Sequence, residues 1–180
     1  MPDSYFNNIN IILSKTINPG NIGSTARAMK NMGLSSLCLV EPQCGLDDDA
    51  YRMATHGKDI LSNIKTFDSI TAAAAGSVYL FGTTARNRKW RNTMSPIDMI
   101  AHIKDRVPFP KISILFGPED FGLTNNELEL CNEVIVIPTA DESDLYYFAW
   151  VQDNIDKVSK ASGGKVGYIH IPDMGRKGLN

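Results

Sequence analysis

The chain has 180 residues, a length that fits one domain or one domain with a short appendage. Hydrophobic residues make up 43% and charged ones 21%, the balance of a globular chain with enough apolar surface for a core. A formal net charge of -2 excludes a strongly basic nucleic-acid coat, so any RNA or DNA site needs a local basic patch.

Asn8 to Leu13 is a short apolar run rich in β-branched residues and reads as a buried strand. Asn18-Pro19-Gly20-Asn21 is a loop, and Ile22 to Met32 carries apolar residues at helical spacing until Gly33 stops it. Ser36 to Val40 is a second strand, closed by Glu41-Pro42. Asp47 to Ala54 opens with three acids, which suit the positive end of a helix dipole. Val78 to Gly82 and Ile112 to Gly117 are further buried-type strands, while Ala72 to Ala75 favours helix. Asn125 to Cys131 is a short helix with Thr124 as its N-cap, and Val134 to Ile137 is a last strand of the series. From Asp144 the text changes. Phe148, Val151, Ile155 and Val158 recur at helical spacing up to Gly163-Gly164, and Lys165 to Ile171 alternates like a strand.

Strands alternating with helices predict an α/β domain with a mainly parallel sheet flanked by helices. In such sheets ligands bind beyond the carboxyl ends of the strands. Gly-bearing loops fall at three such ends, after Leu13, Phe81 and Phe116.

Several chemistries lack their sequence signals. Cys38, Cys44 and Cys131 form no C-x-x-C, and His56, His102 and His170 are scattered, so neither a disulfide framework nor a metal site is expected. The glycines match neither a Rossmann fingerprint nor a Walker loop, and Ser24 and Ser35 sit on no nucleophile elbow. No run has the apolar length of a membrane span and the start is no secretory signal, so the expected compartment is the cytoplasm.

Three constellations remain. In Asn18 to Lys30 the glycines permit a tight backbone, the helix start offers amide donors to a phosphate, and Arg27 lies about one turn inside. The same text also suits a plain strand, turn and helix with an exposed arginine. Phe116 to Leu128 places Glu119 between two glycines, as a close-approach loop or as a solvated surface turn. Gly82 to Arg86 is small and hydroxylated, with Arg88, Lys89, Trp90 and Arg91 close behind. These form either a solvated basic loop or a phosphate-tracking patch.

In order, NPGNIGSTARAMKNMGL, LFGTTAR, FGPEDFGLTNNELELC and VIVIPT closely resemble the motifs of the SpoU/TrmH group of RNA ribose 2′-O-methyltransferases, within the SPOUT class. The likeness runs from Asn8 to Ala140 and is nearest to the branch acting on cytidine and uridine riboses of tRNA. It implies a trefoil-knotted fold, a homodimer, an RNA substrate (tRNA for this branch) and S-adenosylmethionine as methyl donor, without a metal. By position, Arg27 matches the arginine that helps deprotonate or orient the 2′-hydroxyl, Asn21 lines the same site, and Glu119 is the acid of the second motif. Thr83, Thr84, Ala85, Gly117 and Ile137 match positions that hold the donor. The physics agrees, since a neutral hydroxyl needs a nearby cation to favour its alkoxide. A sulfonium methyl is already activated, so the protein mainly aligns donor and acceptor. Arg27 with Arg86, Arg88, Lys89 and Arg91 is the expected RNA-binding set, completed across the dimer.

The third family motif departs. Where the family reads approximately Ser-Ser-Leu-Asn, this chain has Ser143-Asp144-Leu145-Tyr146, with Tyr146 in place of the asparagine. Ser143 and Leu145 keep the expected donor-binding positions. The expected organisation is therefore a methyltransferase body over 1–143 and a divergent end over 144–180. The segment from Tyr146 to Asn180 resembles part of tricorn-type serine proteases but contains no recognisable nucleophile. Two other readings follow: a non-catalytic or fusion descendant keeping fold and RNA affinity, and a protease fragment, which lacks a Ser/His pair placed for acyl transfer.

Overall fold

The computed structural model describes residues 5–85, 93–104, 106, 108–137 and 157–163. The chain divides into two compact units, Met1–Ile137 and Pro138–Asn180. In the second, residues 157–162 are helical; the expected strand Lys165 to Ile171 and the segment expected to thread a knot lie outside the described residues.

The first unit is built on seven strands: β1 (Ile9–Ser14), β2 (Ser36–Val40), β3 (Lys65–Phe67), β4 (Tyr79–Thr84), β5 (Thr93–Met94), β6 (Ile112–Phe116) and β7 (Glu133–Val136). They form one sheet in the order β3-β2-β1-β6-β4-β7-β5. Every pairing is parallel, as the alternation of strands and helices predicts. Parallel pairing puts all carboxyl ends on one edge. Leu13 stands opposite Phe116, Leu115 opposite Gly82, and Thr84 opposite Val136. The loops after β1, β6 and β4 therefore leave the sheet side by side.

The helices are α1 (Pro19–Asn31), α2 (Asp48–Ala54), α3 (Lys58–Ser62), α4 (Ile70–Ala73), α5 (Pro96–Ile103) and α6 (Asn125–Glu129). Helix α1 starts three residues before the expected Ile22. Asn18 caps it by accepting from Gly20 N at 2.8 Å, and Pro19 occupies the first turn, where its missing N–H costs nothing. Gly33, at φ 74°, ends it as expected. Asp47 caps α2 through Asp49 N and Ala50 N. Helices α5 and α6 each carry a full capping box, Ser95 with Asp98 and Thr124 with Glu127.

Side chains alternate across the sheet with period two. Ile11 and Leu13 of β1 pack with Ile22, Ala26 and Met29 of α1 on one face, while Ile12 packs with Leu80, Leu115 and Leu128 on the other. Burying each such aliphatic side chain stabilises the fold by about 1.5–3 kcal/mol. A buried polar node sets the register between them. Asn10 donates to Ala73 O and Ser113 Oγ and accepts from Ser36 Oγ, joining β1 to α4, β6 and β2.

Helix α1 approaches α2 closely through its glycines. A Cβ on Gly23 would stand 2.1 Å from Ala50 O, and one on Gly20 would stand 2.6 Å from Asp49 Oδ2. The obstacle at Gly23 is backbone, so it cannot rotate away. Gly23→Ala is therefore expected to destabilise the fold by about 3 kcal/mol through overpacking, read as a lower urea midpoint. An unchanged midpoint would contradict this packing.

Candidate active site at the carboxyl edge of the sheet

The loop after β6 folds back sharply. Gly122 N donates to Pro118 O at 2.9 Å, and Gly122 takes φ 70°, a conformation suited to glycine. Gly117 is needed at the base of this turn, because a Cβ there would lie 2.4 Å from Gly122 C and Leu123 N. The turn presents Glu119 to the neighbouring loop. Glu119 Oε2 accepts from Ile17 N at 3.1 Å, and Oε1 accepts from Asn18 N at 3.3 Å and Asn21 Nδ2 at 2.9 Å. One carboxylate thus ties the β6 loop to the start of α1. Burial pushes the Glu119 carboxyl up, but the hydrogen bonds from Asn21 and from backbone amides outweigh it and hold the group below its usual range.

Two cavities flank this latch. The first, about 300 Å³, is lined by Thr16, Asn21, Ser24, Thr25, Gly117 and Glu119, with Leu13 and Phe116 below. The second, about 240 Å³, lies between Thr84-Ala85 and the turn from Pro118 to Leu123. Glu119 borders both.

The structure thus brings together Asn21, Gly117 and Glu119 in one cavity and Thr84 and Ala85 in the other. Ile137 N donates to Thr84 O at 2.9 Å, which sets Ile137 beside the second cavity. Arg27 is exposed on α1, one turn beyond Ser24; it lines neither cavity, and its side chain makes no hydrogen bond or ion pair with any described residue. Thr83 is placed differently from the loop position expected for it. Strand β4 runs through Thr84, and Thr83 lies within it, 8% exposed. Its hydroxyl donates to Leu115 O at 2.9 Å, so it secures β4 to β6 and lines neither cavity. Arg86, Arg88, Lys89, Arg91, Ser143, Leu145 and Tyr146 lie outside the described residues.

Sequence reasoning did not single out Thr16, Ser24 and Thr25 as site residues, although hydroxyls just after a strand end and early in the following helix are a readable signal. It also missed the second wall's Asp120 and Phe121, the latter 54% exposed. Among the described residues no group of three His, Cys, Asp or Glu side chains could hold a metal ion, and no helix is long and apolar enough to cross a membrane. Burial pushes the Cys44 thiol up, and the charges of Glu119 and Asp47 add to this, which keeps it a thiol.

A family model described as the SpoU rRNA Methylase family matches residues 8–145. The tRNA (cytidine/uridine-2′-O-)-methyltransferase TrmJ of Sodalis glossinidius is 40% identical over 137 residues, 75% of this chain and 53% of that protein. The chain thus spans about half the length of the curated relatives it matches. Among solved structures, TrmJ from Z. mobilis ZM4 superposes with a TM-score of 0.67 at 32% identity, covering 74% of this chain and 59% of that one. The SpoU methyltransferase AviRb of Streptomyces viridochromogenes, solved in complex with the cofactor AdoMet, shares the fold. Its TM-score is 0.50 at 22% identity, covering 74% of this chain and 49% of that one. None of these relatives supports the protease likeness of the segment after Leu145.

The depressed Glu119 carboxyl has a consequence for stability. Its folded-state pKa lies below the unfolded value, so its contribution is complete above about pH 4.3 and is lost as pH falls through the lowered value. The side chain is exposed, so the contribution is about 1 kcal/mol after solvent screening. Urea unfolding should show wild type more stable than Glu119→Gln from pH 7 to 5, with the gap closing toward pH 3. A gap constant down to pH 3 would contradict the latch.

Proposed function

The chain belongs to the SpoU rRNA Methylase family, and from that membership we propose that it transfers a methyl group from S-adenosylmethionine to a ribose 2′-hydroxyl of tRNA. The observation that carries the reading is the pair of cavities meeting at Glu119, built from the loops after β1, β4 and β6. A donor and an acceptor that must react need adjacent pockets on one edge, and three of the four motif segments supply the walls.

The second cavity suits the donor. Thr84, Ala85 and Gly122 give it small side chains and backbone, which admit a flat heterocycle, and Glu119 and Asp120 add carboxylates that attract a sulfonium and an ammonium. The family resemblance assigns Ile137, Ser143 and Leu145 to donor binding as well. S-adenosylmethionine supplies a methyl group already activated on sulfur. The first cavity takes the ribose. Asn21 Nδ2 is committed to Glu119, which leaves Asn21 Oδ1 to accept the hydrogen bond of the 2′-hydroxyl and orient it. Glu119 acts as a clamp, since both its oxygens already accept hydrogen bonds. Arg27 supplies a permanent cation to the developing alkoxide, whose proton passes to solvent water as the methyl–oxygen bond forms and the methyl–sulfur bond breaks.

The same proposal makes the protein a cytoplasmic homodimer. The RNA backbone would be held by Arg27 with Arg86, Arg88, Lys89 and Arg91, and its affinity would fall with salt as phosphate contacts require. A methyltransferase body over 1–143 and a divergent end over 144–180 remain part of it.

S-adenosylmethionine at millimolar concentration should raise the melting temperature, and methyl from labelled donor should appear on tRNA. Arg27→Ala should reduce transfer by about 100-fold or more while keeping the donor-induced rise. Absence of the rise in wild type would defeat the reading, and undiminished transfer by Arg27→Ala would remove Arg27 from it.

A further inference from the structure

Glu127 is a buried carboxylate that the reaction described above does not use. It is 7% exposed and lies in α6, three residues after the capping Thr124. An ionised group removed from water is costly unless hydrogen bonds replace its hydration. Four do so here. Oε2 accepts from Thr124 N and Thr124 Oγ1, both at 2.8 Å, and Oε1 accepts from Lys15 Nζ at 3.1 Å and Ser14 Oγ at 3.3 Å. Burial pushes the Glu127 carboxyl up, but the bonds from Thr124 and Lys15, with the Lys15 charge, hold it below its usual range.

The two oxygens face different walls of the candidate site. Thr124 closes the turn that bounds the donor cavity, whereas Ser14 ends β1 and Lys15 follows it directly before Thr16, which lines the ribose cavity. Helix capping explains only Oε2. The reach of Oε1 across to β1 serves nothing in the cap. Lys15 itself is held in an unusual backbone, at φ 54°, with its N–H donating to Val40 O at 2.8 Å. Its ammonium also faces Glu41 at 3.9 Å, an exposed pair of little consequence. Glu119 spans the same two loops from the solvent side, so the site is pinned from above and from below.

We propose that Glu127 is a positioning residue, which with Ser14 and Lys15 fixes the offset between the donor and ribose cavities and so aligns the methyl with the hydroxyl. The inference rests on the methyltransferase reading. Alignment is where such a brace matters, because a misplacement of about 1 Å can cost about 100-fold in rate.

The test uses the full chain with Glu127→Gln, Lys15→Met and the double variant. Glutamine keeps an acceptor oxygen for Thr124, and Lys15→Met alters only a half-exposed side chain, so the second variant reports even if the first is poorly folded. Calorimetry should show S-adenosylmethionine binding within threefold of wild type for both. At saturating tRNA and donor, well below the melting temperature, kcat should fall at least tenfold in each, and the double variant should be no worse than the poorer single. A role in stability alone would lower the melting temperature and leave kcat within twofold of wild type, and that result, or additive losses in the double variant, would overturn the proposal. If wild type itself binds no donor, the methyltransferase reading falls and this inference falls with it. If wild type is active and the variants match it, only the inference falls.

Discussion

The site depends on one carboxylate accepting hydrogen bonds from a loop about a hundred residues earlier in the chain. Glu119 joins Ile17, Asn18 and Asn21 to the turn after β6. That contact is possible because β1 and β6 are parallel neighbours, with Leu13 opposite Phe116. Two loops that share no local sequence are placed side by side by the register of the sheet. Gly117 and Gly122 then let the second loop fold tightly enough to bring a carboxyl group to the amides of the first. Remove the register, and neither cavity has two walls.

The arrangement separates two tasks that a single flexible loop would confuse. Helix α1 is seated against α2 with backbone in contact at Gly23, so Asn21 and Arg27 ride on a fixed element. The wall of the second cavity, the proposed donor site, is the turn from Pro118 to Leu123, held at one end by Gly117 and at the other by Thr124. Glu119 and Glu127 each accept several hydrogen bonds, which hold both carboxyls below their usual range. Their part is geometric. Arg27, an exposed cation on α1, lines neither cavity, and its side chain has no hydrogen-bond or ion-pair partner among the described residues.

The strands that form the middle of the sheet were legible because they carry short apolar runs, as in Ile11 to Leu13 and Ile114 to Phe116. Their convergence at one edge followed from the alternation of strands with helices. The short edge strands β3 and β5 carry no apolar run and were not read. Helix α5 had a readable start in Ser95-Pro96 with Asp98, a capping box and first-turn proline that apolar periodicity alone overlooks. The start of α1 was placed late for a related reason. Its first turn is Pro19-Gly20-Asn21, which offers no apolar residue to count. Glu119 stood out between two glycines, but its partners did not, because a hydrogen bond across the sheet leaves no trace in local spacing. Thr124 was read as a cap, but Glu127 three residues on was not, and the reach of its second oxygen to Lys15 leaves no mark in local spacing. The direction of the Thr83 hydroxyl, onto Leu115 O of β6, depends on register and was equally hidden.

The most direct measurement of the central claim is a crystal structure of the chain with S-adenosylhomocysteine bound. The account predicts the ligand between Ala85 and the turn from Pro118 to Leu123, with its sulfur directed past Glu119 toward Asn21. Ligand density outside that cavity, or a sulfur turned away from Asn21, would contradict it.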